Sequence, residues 1–326
     1  MPALRCKGLA TKQHASAAQC LALLGMWLAG CVSAAPSAEP PGINVTGSPT
    51  IAAPSATPSA PAATQASTPT PSSVRISPVD GMTQVFVPAD RFTMGGVDVY
   101  AENDELPAHT VQLDAFWLDQ VEVTTGMYGL CVRAGACGLP AKTHSDNRAS
   151  YFENVEFRDY PVVYVTWQDA QEYCSWAGRR LPTEAEWERA ARGDDLRTYP
   201  WGDEPPNELL ANFLNLAGDT SRVGSYASGA SPFGALDMAG NVWEWVADIY
   251  KRAYYEESPA ANPSGPSDAA GLFRVIRGGS FQDARVNVRV SNRGYELGPN
   301  LALPFSDATR RGNASVRIGF RCAVDS

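Results

Sequence analysis

The chain has 326 residues, 44% of them hydrophobic and 19% charged, with a formal net charge of −9. That length can bury a sizeable core, and the acidic balance argues against nucleic acid or an anionic lipid surface as a partner.

The first thirty residues read as an export signal. Arg5, Lys7 and Lys12 precede an acid-free apolar run, Leu21-Ala22-Leu23-Leu24-Gly25-Met26-Trp27-Leu28-Ala29-Gly30, that is too short to span a bilayer. The run stops at Cys31, and Leu28-Ala29-Gly30-Cys31 resembles the bacterial lipobox, so Cys31 is the expected lipidation site. The alternative is an ordinary signal peptide cut after Ala34 or Ala35. Cleavage before Cys31 removes three cations and takes the formal charge from −9 to −12. Val32, where an Asp would favour retention at an inner membrane, resembles the sorting pattern for the outer membrane. The expectation is an exported lipoprotein of the cell envelope, on the periplasmic face of the outer membrane, held to it by its lipid. From Val32 to Ser77 the chain is mostly Ala, Pro, Ser and Thr, with Glu39 and Arg75 its only charges. Such a stretch buries too little apolar surface to offset its ordering entropy and reads as a disordered tether. The organisation expected is therefore signal 1–30, lipidated Cys31 and tether 31–77, and one folded domain 78–326.

Strand signals open the domain at Gln84-Val85-Phe86-Val87-Pro88 and Thr110-Val111-Gln112-Leu113, with Ala115-Phe116-Trp117-Leu118 continuing the second. Three short helices follow: one capped by Thr125 and ending before Gly135, one capped by Thr166 over Trp167 to Trp176, and one opened by a Thr183-to-Glu186 capping box and closed by Gly193. Beyond them glycines, prolines and aromatics dominate, and no periodicity persists. The fold class read from this is α+β with little regular secondary structure, held together by buried aromatics, side-chain bonds, disulfides or ions.

Four cysteines fall in the domain, Cys131, Cys137, Cys174 and Cys322, and three pairings are open. Five residues separate Cys131 from Cys137 across the Gly135 helix stop, which favours that pair and leaves Cys174 with Cys322. The spacings match no zinc module.

Several segments in order then resemble the formylglycine-generating enzyme, or sulfatase-modifying factor, superfamily. They are Phe92-Thr93-Met94-Gly95, Asp119-Gln120-Val121-Glu122-Val123-Thr124, Pro161-Val162-Val163-Tyr164-Val165-Thr166-Trp167, Gly178-Arg179-Arg180-Leu181-Pro182-Thr183-Glu184-Ala185-Glu186-Trp187-Glu188, Pro200-Trp201-Gly202, Gly240-Asn241-Val242-Trp243-Glu244-Trp245, Arg277-Gly278-Gly279-Ser280-Phe281 and Gly319-Phe320-Arg321-Cys322. The resemblance implies a variant of the C-type lectin fold and a disulfide between Cys174 and Cys322. It also implies structural Ca²⁺, an ion that takes six to eight oxygens. Asp237 and Glu244 would supply carboxylates and Gly240 and Val242 carbonyls; a second site would use Asn212, the carbonyl of Phe213 and Asp219.

Active members of the superfamily oxidise a substrate cysteine with copper, using two thiols just after the Gly-Gly-Ser segment. Here the matching positions hold Asp283 and Val288, and no cysteine lies between Cys174 and Cys322. Neither residue can bind Cu(I) as a thiolate does or exchange with a substrate thiol, so formylglycine formation and a copper cofactor are not expected. Only His109 and His144 remain after the signal, in separate loops, which gives iron no histidine cluster without excluding it. The acid pairs Asp104-Glu105 and Glu256-Glu257 read as solvated charge, and Trp187, Trp201, Trp243 and Trp245 as core aromatics. Trp243, Ser280, Phe281, Asp283, Arg285 and Arg289 would form a binding surface where active relatives hold their substrate peptide.

Three functions follow. The first is a non-catalytic accessory protein that engages an exported or membrane protein segment; cysteine-free relatives accompany bacterial serine/threonine kinases, including those of type VI secretion. The second is a metal-dependent oxidoreductase with other chemistry, as in siderophore maturation. The third is a lectin-like ligand-binding module.

Overall fold

Threonines set where the helices start. In the computed structural model, which describes residues 74–326 apart from 268–270, 305 and 308, the hydroxyls of Thr124, Thr166 and Thr183 each accept from the backbone N–H three residues on. They open α1 (Thr125–Arg133), α2 (Trp167–Trp176) and α3 (Glu184–Arg192). In α2 and α3 the residue at that position, Asp169 or Glu186, returns a bond to the cap backbone and completes a capping box. The first cap is Thr124 and not Thr125, because the Thr125 hydroxyl is drawn away to the carbonyl of Phe157 at 2.7 Å. Gly193 closes α3 at φ +79°, where a Cβ would lie 2.6 Å from Pro232.

Among the described residues ten short strands make three sheets. Strands β1 (Val74–Ile76), β2 (Thr83–Val87), β5 (Phe116–Asp119) and β10 (Ala323–Asp325) form an antiparallel sheet in the order β1-β2-β5-β10. Strands β3 (Asp90–Met94) and β4 (His109–Leu113) pair as a separate antiparallel ribbon. The third sheet runs β8 (Arg293–Leu297), β7 (Phe273–Arg277), β6 (Trp243–Ile249) and β9 (Ile318–Phe320), with β6 and β9 parallel. Two expectations are corrected. Phe116–Asp119 does not continue the preceding strand but changes sheet after Asp114-Ala115. The folded part also begins earlier than residue 78, since Val74–Ile76 registers against Thr83–Val85.

The cores lie between these sheets and the helices. Of the two larger clusters, Trp245, Tyr128, Tyr173 and Phe320 centre one, with Tyr128 stacked on Tyr173 at 5.7 Å, and Trp187, Phe116, Val246 and Val275 centre the second. Cys131 is bonded to Cys137, and Cys174 in α2 to Cys322 just before β10. All nine residues of α3 are buried although five are charged. That is tolerable only because acids meet arginines brought by distant strands: Glu184 bonds Arg293 at 2.7 and 2.9 Å, and Glu188 bonds Arg277 at 2.5 Å. Burial raises the Glu184 carboxyl, but Arg293 and then Arg277 outweigh it and hold the group below the ordinary range.

The signal, Cys31 and the tether as far as residue 73 lie outside the described residues. No helix among those described is long and apolar enough to cross a membrane.

Candidate functional site

Two neighbouring structures occupy the region singled out by sequence, a buried polar chain and a surface loop. The polar chain is built on the turn before β6. Asn241, at φ +59°, donates to Glu122 Oε1 at 2.9 Å and accepts at its Oδ1 from Ser221 N at 2.8 Å and Asn212 Nδ2 at 3.4 Å. Gly240, at φ +81°, passes so close to Asn212 that a Cβ would meet its carbonyl at 2.2 Å, so only glycine serves there. Asp237 accepts from Gly224 N at 2.6 Å and lies beside Glu122.

Burial first, and then the charge of Asp237, raise Glu122 well above the ordinary carboxylate range; burial raises Asp237 as well. Within this polar cluster Glu122 Oε2 and Asn212 Oδ1 are buried with no hydrogen-bond donor among the described residues, and Glu122 shares its site with the Asp237 carboxyl. Hard, unsatisfied oxygens beside adjacent acids are what a calcium ion takes.

Glu244, expected as a calcium ligand, is otherwise engaged. Its Oε1 accepts from Arg321 at 2.7 Å, and its Oε2 accepts from Arg321 and from Trp187 Nε1, each at 2.7 Å. The remaining Arg321 donors reach the carbonyls of Asp119, Gln120 and Leu236. A guanidinium thus already neutralises Glu244, and the open carboxylate oxygen belongs to Glu122, which sequence reading left inside a motif without a role. Asp219 is likewise committed to its own loop: it accepts from Ser145 at 2.6 Å and Asn147 N at 3.1 Å and pairs with Arg148 at 3.3 Å. The Phe213 carbonyl accepts from Leu216 N at 3.0 Å. Among the described residues no three His, Cys, Asp or Glu side chains are grouped to hold a metal.

The surface loop follows β7. Gly278 and Gly279, at φ +94° and +75°, turn the chain so that Ser280 and Phe281 point inward. Asp283 Oδ2 gathers three donors: Ser280 Oγ at 2.5 Å, Ser280 N at 2.9 Å and Trp243 Nε1 at 2.8 Å. Val288 is fully buried among Tyr199, Ala211, Phe213 and Ala239. The two positions matching thiols in active members therefore hold a side chain that pins a tryptophan and one that fills a core. The four described cysteines are all in disulfides.

The expected binding surface is corrected here. Ser280 and Phe281 are fully buried, Trp243 is 8% exposed, and Arg289 is 1% exposed because it pairs with Glu105 at 2.6 Å and Asp98 at 3.2 Å. Only Arg285 and, in part, Asp283 reach the surface. Glu105 and its neighbour Asp104 are accordingly buried, not solvated: burial raises Glu105, and Arg289 more than offsets it, leaving the acid below its ordinary range. The exposed face of this loop is instead Gln282, Arg285 and Val286, beside Leu214 and Leu216 at 46% and 56% exposure. Backbone bonds from Leu214 N to Asp283 O and from Asn215 N to Phe281 O tie the two segments together. Nothing in a Leu-Asn-Leu loop announces this in sequence. Both described histidines bond a nearby carbonyl, His109 that of Pro107 and His144 that of Ser145, each at 3.0 Å.

Loop-dominated α+β architecture around capped α3, with a Gly-Asn-Val-Trp-Glu-Trp turn locked by Arg321, defines the class of formylglycine-generating-enzyme-like domains. Residues 71–326 match the family described as the sulfatase-modifying factor enzyme 1-like domain, and the chain belongs to it. It is 34% identical over 297 residues to the formylglycine-generating enzyme of Streptomyces coelicolor, covering 74% of this chain and 89% of that one. It is 35% identical over 261 residues to the serine/threonine-protein kinase Pkn1 of Chlamydia trachomatis, covering 74% of this chain but 38% of the kinase. Among solved structures, PvdO from Pseudomonas aeruginosa is similar at a TM-score of 0.65 and 26% identity, covering 79% of this chain and 99% of PvdO.

Proposed function

We propose that this is an envelope lipoprotein, anchored through Cys31, whose folded domain is a non-catalytic binding module for an exported or membrane protein segment. The observation that carries the reading is the fate of the two thiol positions. Asp283 is fastened by Ser280 and Trp243, and Val288 is core, so the family scaffold is kept while the soft ligands of its copper chemistry are replaced by structural side chains. The neighbouring exposed strip of Leu214, Leu216, Arg285 and Val286 joins apolar and cationic groups as peptide-binding surfaces do.

Calcium is the structural ion this reading assigns. Glu122, Asp237 and Asn212 would offer side-chain oxygens, with the carbonyls of Gly240 and Val242, while Glu244 stays with Arg321. Its contribution is to neutralise adjacent buried acids and stiffen the turn that carries Trp243.

The test is to incubate the full chain with Cu(I) and a cysteine-bearing sulfatase peptide, and to assay metal content in parallel. Unconverted peptide and protein without stoichiometric iron or copper is the expected result; aldehyde formation, or either metal at one per chain, overturns it.

A further inference from the structure

A ladder of π systems crosses one face of the β8-β7-β6-β9 sheet. The guanidinium carbon of Arg293 sits 5.2 Å from the ring centroid of Tyr250, and Tyr250 stacks on Tyr295 with centroids 4.2 Å apart and 25° between planes. The inner rungs are fixed from several sides. Arg293 donates to Glu184 and to the carbonyl of Asp104 at 2.7 Å, and the Tyr250 hydroxyl donates to Asp104 Oδ2 at 2.7 Å. Phe273 meets Tyr295 edge-on at 5.4 Å. Tyr295 is nonetheless 52% exposed. With one face on Tyr250, that exposure comes from its opposite face and rim.

Beside this ring opens a cavity of about 430 Å³, lined by Tyr250, Tyr295, Glu102, Asn103 and Arg252 among others. Asn103 and Arg252 also border a second cavity of about 890 Å³ that runs on past Leu106 and Pro107, so the two read as one groove. The side chains of Glu102, Asn103 and Arg252 have no hydrogen-bond partner among the described residues. An aromatic face held still by its neighbours loses little freedom when a ligand settles on it. A carboxylate, an amide and a guanidinium at its margin are planar groups that match pairs of vicinal hydroxyls.

A pyranose has that pattern, with an apolar C–H face and a rim of equatorial hydroxyls. A nucleobase would stack too, but of the two arginines lining the groove Arg293 is committed to Glu184, and Arg252 shares the lining with Glu102 and Glu256, so a phosphate backbone finds little net cation there. We infer that this groove binds a neutral glycan, with Tyr295 as the stacking platform and Glu102, Asn103 and Arg252 reading hydroxyls. It is separate from the peptide surface around Asp283 and does not depend on it.

The test is calorimetric titration of the full chain with chitotetraose and with cellotetraose, whose β-1,4 linkages present successive flat faces. At least one should bind with a Kd between about 10 μM and 1 mM. Tyr295→Ala should weaken it at least about tenfold, and Tyr295→Phe should retain it. Asn103→Ala and Arg252→Ala, both exposed side chains, should weaken it several-fold and keep the reading testable if Tyr295→Ala does not fold. No binding of either sugar up to about 5 mM, or full binding by the alanine variants, overturns the assignment.

Discussion

The Arg277 guanidinium on β7 donates to the Glu188 carboxylate in α3 at 2.5 Å, and neither side chain has any solvent exposure. Desolvating both charges offsets much of their attraction, so the pair adds less to stability than its distance suggests. Removing one partner is another matter, because the other is left charged in the core. Glu188→Ala is therefore expected to lower unfolding free energy by about 3–5 kcal/mol, read from urea melts. A loss under about 1 kcal/mol would show that water reaches Arg277.

The Cys174–Cys322 bond ties α2 to the end of the chain across 148 residues. Cys322→Ser should cost about 2–5 kcal/mol in thermal or denaturant unfolding. An unchanged melting midpoint, or a free thiol at Cys174 in the parent protein, would show that the bond does not form.

Asp248 supplies a pH dependence. It lies on β6, buried against the start of α3, and accepts from Glu184 N at 2.8 Å. Burial, reinforced by the Glu184 charge, raises it from 3.8 to about 8. A raised acid holds its proton more tightly folded than unfolded, so its contribution is complete below about pH 4 and is lost as pH climbs through about 8. The asparagine variant, which still offers an oxygen to Glu184 N, should show a flatter stability profile in that window. A slope identical to the parent would remove Asp248 as its source.

Asp283→Ala unties three donors at once: both groups of Ser280 and the Trp243 indole N–H. A loss of about 1–3 kcal/mol is expected, with a shift in tryptophan emission. Wild-type stability would mean that the loop repacks without its carboxylate.

Calcium removal tests the Glu122–Asp237 assignment. Chelation should lower the melting temperature of the parent, and added calcium should restore it; with Glu122→Gln the response should be smaller. Equal midpoints for the parent with and without chelator would dismiss the ion.

Local chemistry made much of this legible. Thr166, Thr183 and Gly193 punctuate helices through bonds to their own neighbours, so their signals survive in a linear reading. The ring stacks and ion pairs do not. Arg289 alternates with valines and reads as an outward-facing cation, yet Glu105, 184 residues earlier, draws it inside. Glu244 has the ligand type and the motif for calcium, but whether Arg321 or a metal meets it depends on how β9 aligns with β6. The pairing of Val74–Ile76 was hidden in the same way, because its three residues end a Pro-rich stretch and acquire a strand only from Thr83–Val85.

The charged interior of α3 has a consequence for how the chain matures. Glu184 waits for Arg293, 109 residues downstream, and Glu188 for Arg277, 89 residues downstream. Until those strands arrive the helix carries uncompensated acids that favour water over the core, so an N-terminal fragment has no stable place to put it. Assembly of this core is thereby deferred until the distal third of the chain is available.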